Sequence, residues 1–120
     1  MNVTDDIVQA VTSRYFRFSS EIDLQEQLAA AFKEDGIVLA REHRLTPKDR
    51  PDFFHVVDGV TVEVKIKGSA ASVLFQLHRY AQHDSVTSIV LLTSVVYHVG
   101  VMPRTLCGKP VVVVKVGGFL

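Results

Sequence analysis

A single cysteine, Cys107, leaves the chain without any internal disulfide, and a reducing, cytoplasmic setting is expected. There is no run of about 18 apolar residues, so no helical membrane span is expected. Residues 1–6 are polar and acidic, unlike the start of a secretory leader. Repeats, low-complexity tracts and Pro/Gly/Ser-rich linkers are missing too. Five histidines (His43, His55, His78, His83 and His98) show no zinc-like pairing, and no Ser/His/Asp order stands out. Cys107, between Leu106 and Gly108, reads as structural rather than as a nucleophile. Net charge is also lacking, since thirteen Lys+Arg meet thirteen Asp+Glu. Taken alone, that zero speaks against nucleic acid, because phosphate binding usually shows as a basic excess.

The zero is a cancellation. Residues 1–60 carry seven basic and eleven acidic side chains, and residues 61–120 carry six and two, so −4 meets +4. With 120 residues, 48% hydrophobic and 22% charged, the chain reads as one globular domain over residues 1–120.

Thr4, Asp5 and Asp6 make an acidic helix start, with Ile7, Val8, Val11 and Tyr15 at helical spacing. Ser20 and Asp23 stand at capping-box spacing before a second helix that should reach Asp35 and stop at Gly36. Strand character then begins at Ile37, Val38 and Leu39, followed by a charged stretch and a turn at Thr46-Pro47-Lys48-Asp49. Residues 52–57 and 60–67 read as strands joined by Asp58-Gly59, a strong hairpin signal. Residues 69–83 read as a helix with Val73, Leu74, Leu77 and Tyr80 on one side. Ser88–Thr93 reads as a strand buried on both faces. Residues 95–102 and 110–116 complete the set as further strands. The class is α/β with a central mixed sheet flanked by helices, in the order α-α-β-β-β-α-β-β. The step across residues 60–93 should be a parallel crossover.

The hairpin carries the chemistry. Val60, Val62, Val64 and Ile66 alternate with Thr61, Glu63, Lys65 and Lys67, which puts Glu63 and Lys65 on one face. A two-residue loop pairs Val57 with Val60, Asp52 with Lys65 and Phe54 with Glu63. Asp52, Glu63 and Lys65 then converge within about 5–8 Å. A one-residue slip would scatter them. On the second helix, Glu21 falls in the middle of the apolar stripe of Leu24, Leu28 and Phe32, where a carboxylate needs a partner. Glu26 points the other way. Two carboxylates and a lysine suit metal-assisted phosphodiester hydrolysis with Mg²⁺ or Mn²⁺.

Pro51-Asp52 followed by Glu63-Val64-Lys65 resembles the PD-(D/E)XK nuclease superfamily, which includes many restriction enzymes, archaeal Holliday-junction resolvases and RecB-type nuclease domains. The order of a Glu-bearing helix, strands with Asp and Glu-x-Lys, and a crossover helix is similar across residues 19–94. Gln76 and Tyr80 match the Gln-x-x-x-Tyr element of the RecB-like branch. The resemblance implies a restriction-endonuclease-like core and a magnesium-dependent deoxyribonuclease acting on DNA. It makes Asp52, Glu63 and the Val64 carbonyl metal ligands, with Glu21 supporting them and Lys65 as the catalytic lysine. Gln76 and Tyr80 would support the site or hold the DNA backbone. A small stand-alone endonuclease of phage, mobile-element or junction-resolving type is the expectation.

Arg41, Arg44, Lys48 and Arg50 offer a basic stretch to track phosphates, and Glu42 is a further carboxylate near the site. A homodimer or higher homo-oligomer would let a minimal nuclease cut both strands, with the apolar tail, residues 111–120, helping to form it. Two other readings compete: a catalytically silent nucleic-acid-binding or assembly module on the same fold, and a small α/β interaction domain whose charged face is only surface.

Overall fold

Local capping sets the first two helices of this computed structural model, which describes residues 2–119; Met1 and Leu120 lie outside it. Helix α1, Val3–Thr12, carries Asp5 and Asp6 in its first turn. Its N-cap is Asn2, whose side chain accepts the Asp5 N–H at 2.9 Å. Tyr15 lies beyond the helix and is exposed. A short strand, β1 (Arg17–Phe18), leads to α2, Glu21–Glu34, capped by Ser20, whose Oγ accepts the Asp23 N–H at 3.0 Å. The reciprocal bond reaches one residue further back, from the Ser19 N–H to Asp23 Oδ2 at 2.9 Å. Gly36, with φ of +74°, ends the helix as its position predicts.

The sheet follows. Strands β2 (Ala40–Arg41), β3 (Phe53–His55) and β4 (Val60–Lys65) pair antiparallel. Helix α3, Ala70–Ala81, then crosses to β5, Ser88–Thr93, parallel to β4. Residues 95–102 are not a strand. They form α4, Val96–Val101, and the chain continues through β6 (Thr105–Leu106), β7 (Lys109–Lys115) and β8 (Gly118–Phe119). The six-stranded mixed sheet runs β2-β3-β4-β5-β7-β6, and β8 lies apart as a parallel partner of β1.

Two cores sit on opposite faces of that sheet. Helices α1 and α2 bring Ile7, Leu24, Leu28 and Phe32 against Phe53, Val62, Val64, Val90 and Leu92. Helix α3 brings Val73, Leu77 and Tyr80 against Phe54, Ile89 and Leu91. Burial of each such side chain contributes about 1.5–3 kcal/mol. Of the residues expected as an apolar tail, 111–115 belong to this sheet, 118–119 pair with β1, and Leu120 lies outside the described residues. β7 lies between β5 and β6, and Val111, Val114 and Val116 are buried in the chain's own core. These three side chains are therefore taken up within the chain itself.

His98 explains why residues 95–102 coil. Its ring is fully buried, with Nδ1 2.9 Å from Thr93 Oγ1 and Nε2 2.8 Å from the Gly68 carbonyl. The carbonyl can only accept, so Nε2 donates and Nδ1 receives the threonine hydroxyl. Thr93 Oγ1 in turn accepts the Val95 N–H at 3.0 Å. These three bonds fasten the end of β5 to the loop after β4. No described helix is long and apolar enough to cross a membrane.

Candidate active site

The β3–β4 turn decides which side chains meet. It holds four residues, 56–59, not two, and the pairs are His55 with Val60, Phe54 with Thr61 and Phe53 with Val62. His55 closes it: its carbonyl accepts the Gly59 N–H at 2.7 Å, and its Nδ1 accepts the Asp58 N–H at 3.1 Å. The register therefore differs by two residues from the one expected. A shift of two preserves the face of every side chain. It brings Asp52 beside Glu63 rather than Lys65, and it takes Phe54 off Glu63 and onto Thr61.

The two carboxylates are tied to each other's strands. Asp52 Oδ2 accepts the Val64 N–H at 2.7 Å, and Glu63 Oε1 lies 3.4 Å from the Asp52 N–H. Glu63, only 3% exposed, also faces Lys65 Nζ at 3.0 Å through Oε2 and accepts the Tyr80 hydroxyl at 3.1 Å through Oε1. Gln76 Nε2 donates to the Tyr80 oxygen at 2.9 Å. Gln76, Tyr80, Glu63 and Lys65 thus form one chain of bonds, with Asp52 at its side. The structure brings together Asp52, Glu63, Lys65, Gln76 and Tyr80 as expected. Glu21 faces the same cleft from the first turn of α2, and no hydrogen bond joins it to the others.

Burial dominates the electrostatics. The Asp52 carboxyl is pushed up to about 7, first by burial, then by Glu63 and Glu21, against the opposing Val64 N–H and Lys65. Glu63 is also raised by burial, with Lys65, Tyr80 and the Asp52 N–H acting the other way. Burial and then the adjacent Glu63 charge raise the Tyr80 phenol far above its ordinary value, so it stays protonated and remains a donor. Tyr80→Phe removes that donor from a buried carboxylate. It is expected to cost about 1.5–3 kcal/mol in urea denaturation and to leave the far-UV spectrum unchanged. A cost near zero would remove Tyr80 from the network.

Sequence reasoning missed several neighbours. Gln25 Nε2 donates to Asp52 Oδ1 at 3.1 Å. The helical phase that selects Glu21 also selects Gln25, one turn on. Asp49 anchors the loop that delivers Asp52. It accepts Arg79 Nε at 2.9 Å and sits 2.9 Å from His83 Nε2, while its carbonyl accepts the Leu45 N–H at 2.8 Å. Burial works to raise the Asp49 carboxyl, but His83 and Arg79 outweigh it and hold it below its usual value. Two arginines of the basic stretch are paired within the chain. Arg41 pairs with Glu26 at 2.7 Å and lies over the Phe53 ring, and Arg50 sits 3.7 Å from Glu42. The cations that line the cleft are Lys65, Lys67 and Arg79, together with Glu21, Ser72 and Gln76, around about 440 Å³. Lys65 ends β4 and Lys67 lies two residues beyond it, and that spacing carried the signal.

Comparison with family models, curated proteins and solved structures finds no match. The site stands on its own geometry. Among the described residues no three His, Cys, Asp or Glu side chains cluster closely enough to hold a metal by themselves. Mg²⁺ and Mn²⁺ do not require such a cage, since one or two carboxylates with waters and substrate phosphate suffice. Asp52 and Glu63, two adjacent, largely buried carboxylates with Lys65 as their one close cation among the described residues, fit that donor set.

Proposed function

We propose that this chain is a divalent-metal-dependent DNA nuclease with a restriction-endonuclease-like core, of the PD-(D/E)XK type. The observation that carries the reading is Asp52, just before β3, side by side with Glu63 on β4, with Lys65 Nζ 3.0 Å from Glu63 at the wall of a cation-lined cleft. Asp52, Glu63 and the Val64 carbonyl would hold Mg²⁺ or Mn²⁺, with Glu21 across the cleft. When bound, the ion supplies Lewis-acid polarisation of a phosphate and an acidified water.

The chain's own residues do the rest. Lys67 and Arg79 hold the phosphate backbone along the cleft. Lys65 Nζ orients the attacking water and stabilises charge that develops on phosphorus-bound oxygen. Tyr80, kept protonated, fixes the Glu63 carboxylate, and Gln76 fixes Tyr80.

Plasmid and branched DNA incubated with Mg²⁺ or Mn²⁺, beside Glu63→Ala and Lys65→Ala, test this. Wild type should cut, Lys65→Ala should lose about a hundredfold in rate, and Glu63→Ala should be inactive. If wild type leaves every substrate as intact as the variants do, the reading fails. Binding without cleavage would instead assign the fold to a silent DNA-binding module.

A further inference from the structure

The cleft beside Lys65 meets a second depression at one side chain, Phe75. Phe75 forms part of its wall and is 67% exposed, unusual for so large an apolar side chain. The same residue borders a second depression of about 320 Å³, lined by Ala71, Leu74, Phe75, His78 and Leu106. On α3 the first four fall at i, i+3, i+4 and i+7, a stripe separate from the buried one of Val73, Leu77 and Tyr80. A slot lined by Lys65, Lys67 and Arg79 and an apolar slot therefore share one aromatic residue.

A nucleotide has the same two halves. Its phosphate needs fixed cations, and its base, when unpaired, offers a flat face that stacks on aromatic side chains. A base inside a duplex already stacks on its neighbours and has no free face to give. A strip one helix wide, joined through Phe75 to the cleft of Lys65, Lys67 and Arg79, suits a single ring better than a stable protein interface, which buries roughly 800 Å² per partner.

We infer that Phe75, with Ala71, Leu74, His78 and Leu106, forms a subsite for one unpaired nucleobase beside the bound phosphate, so that single-stranded or frayed DNA is the favoured substrate. This rests on the nuclease reading and adds the substrate class to it.

The chain contains no tryptophan, so Phe75→Trp installs a single fluorophore at the subsite. The full chain is titrated, with Ca²⁺ in place of Mg²⁺, with a short oligothymidylate, an abasic strand of equal length and a blunt duplex. Anisotropy of end-labelled strands follows binding in parallel. Oligothymidylate should quench the tryptophan, and the abasic strand should bind without quenching. Phe75→Ala should weaken oligothymidylate binding roughly tenfold and leave abasic binding unchanged, while Phe75→Tyr retains both. Binding by anisotropy with no quenching, or equal quenching by the abasic strand, overturns the subsite and leaves the nuclease reading standing. Emission that shifts with protein concentration alone gives the face to a second copy and also overturns it. If wild type neither binds nor cuts any strand, both readings fall.

Discussion

Asp52→Asn should abolish divalent-dependent DNA cleavage and, at pH 8 without metal, raise the melting temperature. The first effect follows from losing a charged ligand, worth several kcal/mol of transition-state stabilisation, or about a thousandfold in rate. The second follows from the Asp52 carboxyl, which burial, Glu63 and Glu21 push up to about 7. Folded protein then holds that proton more tightly than the unfolded chain does. The associated stability is complete below the ordinary carboxylate range, about pH 4, and is lost as pH rises through 7. At pH 8 the wild-type fold carries a buried charge beside a second carboxylate, and asparagine carries none. Asn Oδ1 can still accept the Val64 N–H, and the Gln25 amide can turn to meet the new Nδ2. A gain of several degrees is expected, shrinking at pH 5. Mg²⁺ or Mn²⁺ should raise the melting temperature of wild type at pH 8 and leave the variant nearly unmoved. Calorimetry across pH with and without metal decides this. A gap that ignores pH, or a variant that still cuts, would sink the assignment.

Gly59→Ala should be the most damaging single methyl group in the hairpin. Gly59 has φ of +73°, where an L side chain is strained by about 1–2 kcal/mol, and its Cβ would run into the Ser85 carbonyl. Its own carbonyl accepts the Thr87 N–H at 2.9 Å, and the Thr87 hydroxyl bonds to the Asp58 carbonyl. The turn is therefore held to the segment before β5 and cannot swing aside. Strain and overpacking together come to about 2–5 kcal/mol, against a total stability of order 5–15 kcal/mol. Gly36→Ala is the control. Its φ is +74°, yet no atom lies within 4 Å of the added Cβ, so only the backbone strain remains. Urea midpoints of the two variants should separate clearly. Equal losses would mean that the turn does not press on Ser85. Because this turn sets the pairing of β3 with β4, the folded fraction of Gly59→Ala should also lose cleavage.

Side-chain parity explains why so much of the site could be read before its geometry was known. Glu63 and Lys65 share a face under any register, and an even shift keeps Asp52 with them. The length of the turn was not legible, because Val56 and Val57 are β-branched and look like strand yet lie exposed in the loop. Residues 95–102 misled in the same way. Val96–Val101 coils because His98 bonds to Thr93 and Gly68, which are distant or buried partners that no local pattern reveals. The β6–β7 turn uses Cys107 and Gly108, with φ of +51° and +76°, and cysteine is not among the usual turn residues. Ser88–Thr93 was legible in full, since an unbroken apolar run has few uses other than a strand covered on both sides.

The pairing of β1 with β8 sets the order in which the fold can close. It places Arg17 beside Gly118 and Phe18 beside Phe119, so it joins nearly opposite ends of the sequence. The entropy of closing so long a loop must be met before the pairing returns any stabilisation, which puts it late in folding. The β3–β4 hairpin needs only residues 53–65 and closes locally. β5, however, gains its second neighbour only from β7, and Val116 reaches back to the Thr93 carbonyl at 2.8 Å. Asp52, next to this hairpin, can therefore meet Glu63 and Lys65 early, while the strands that seal the sheet arrive last.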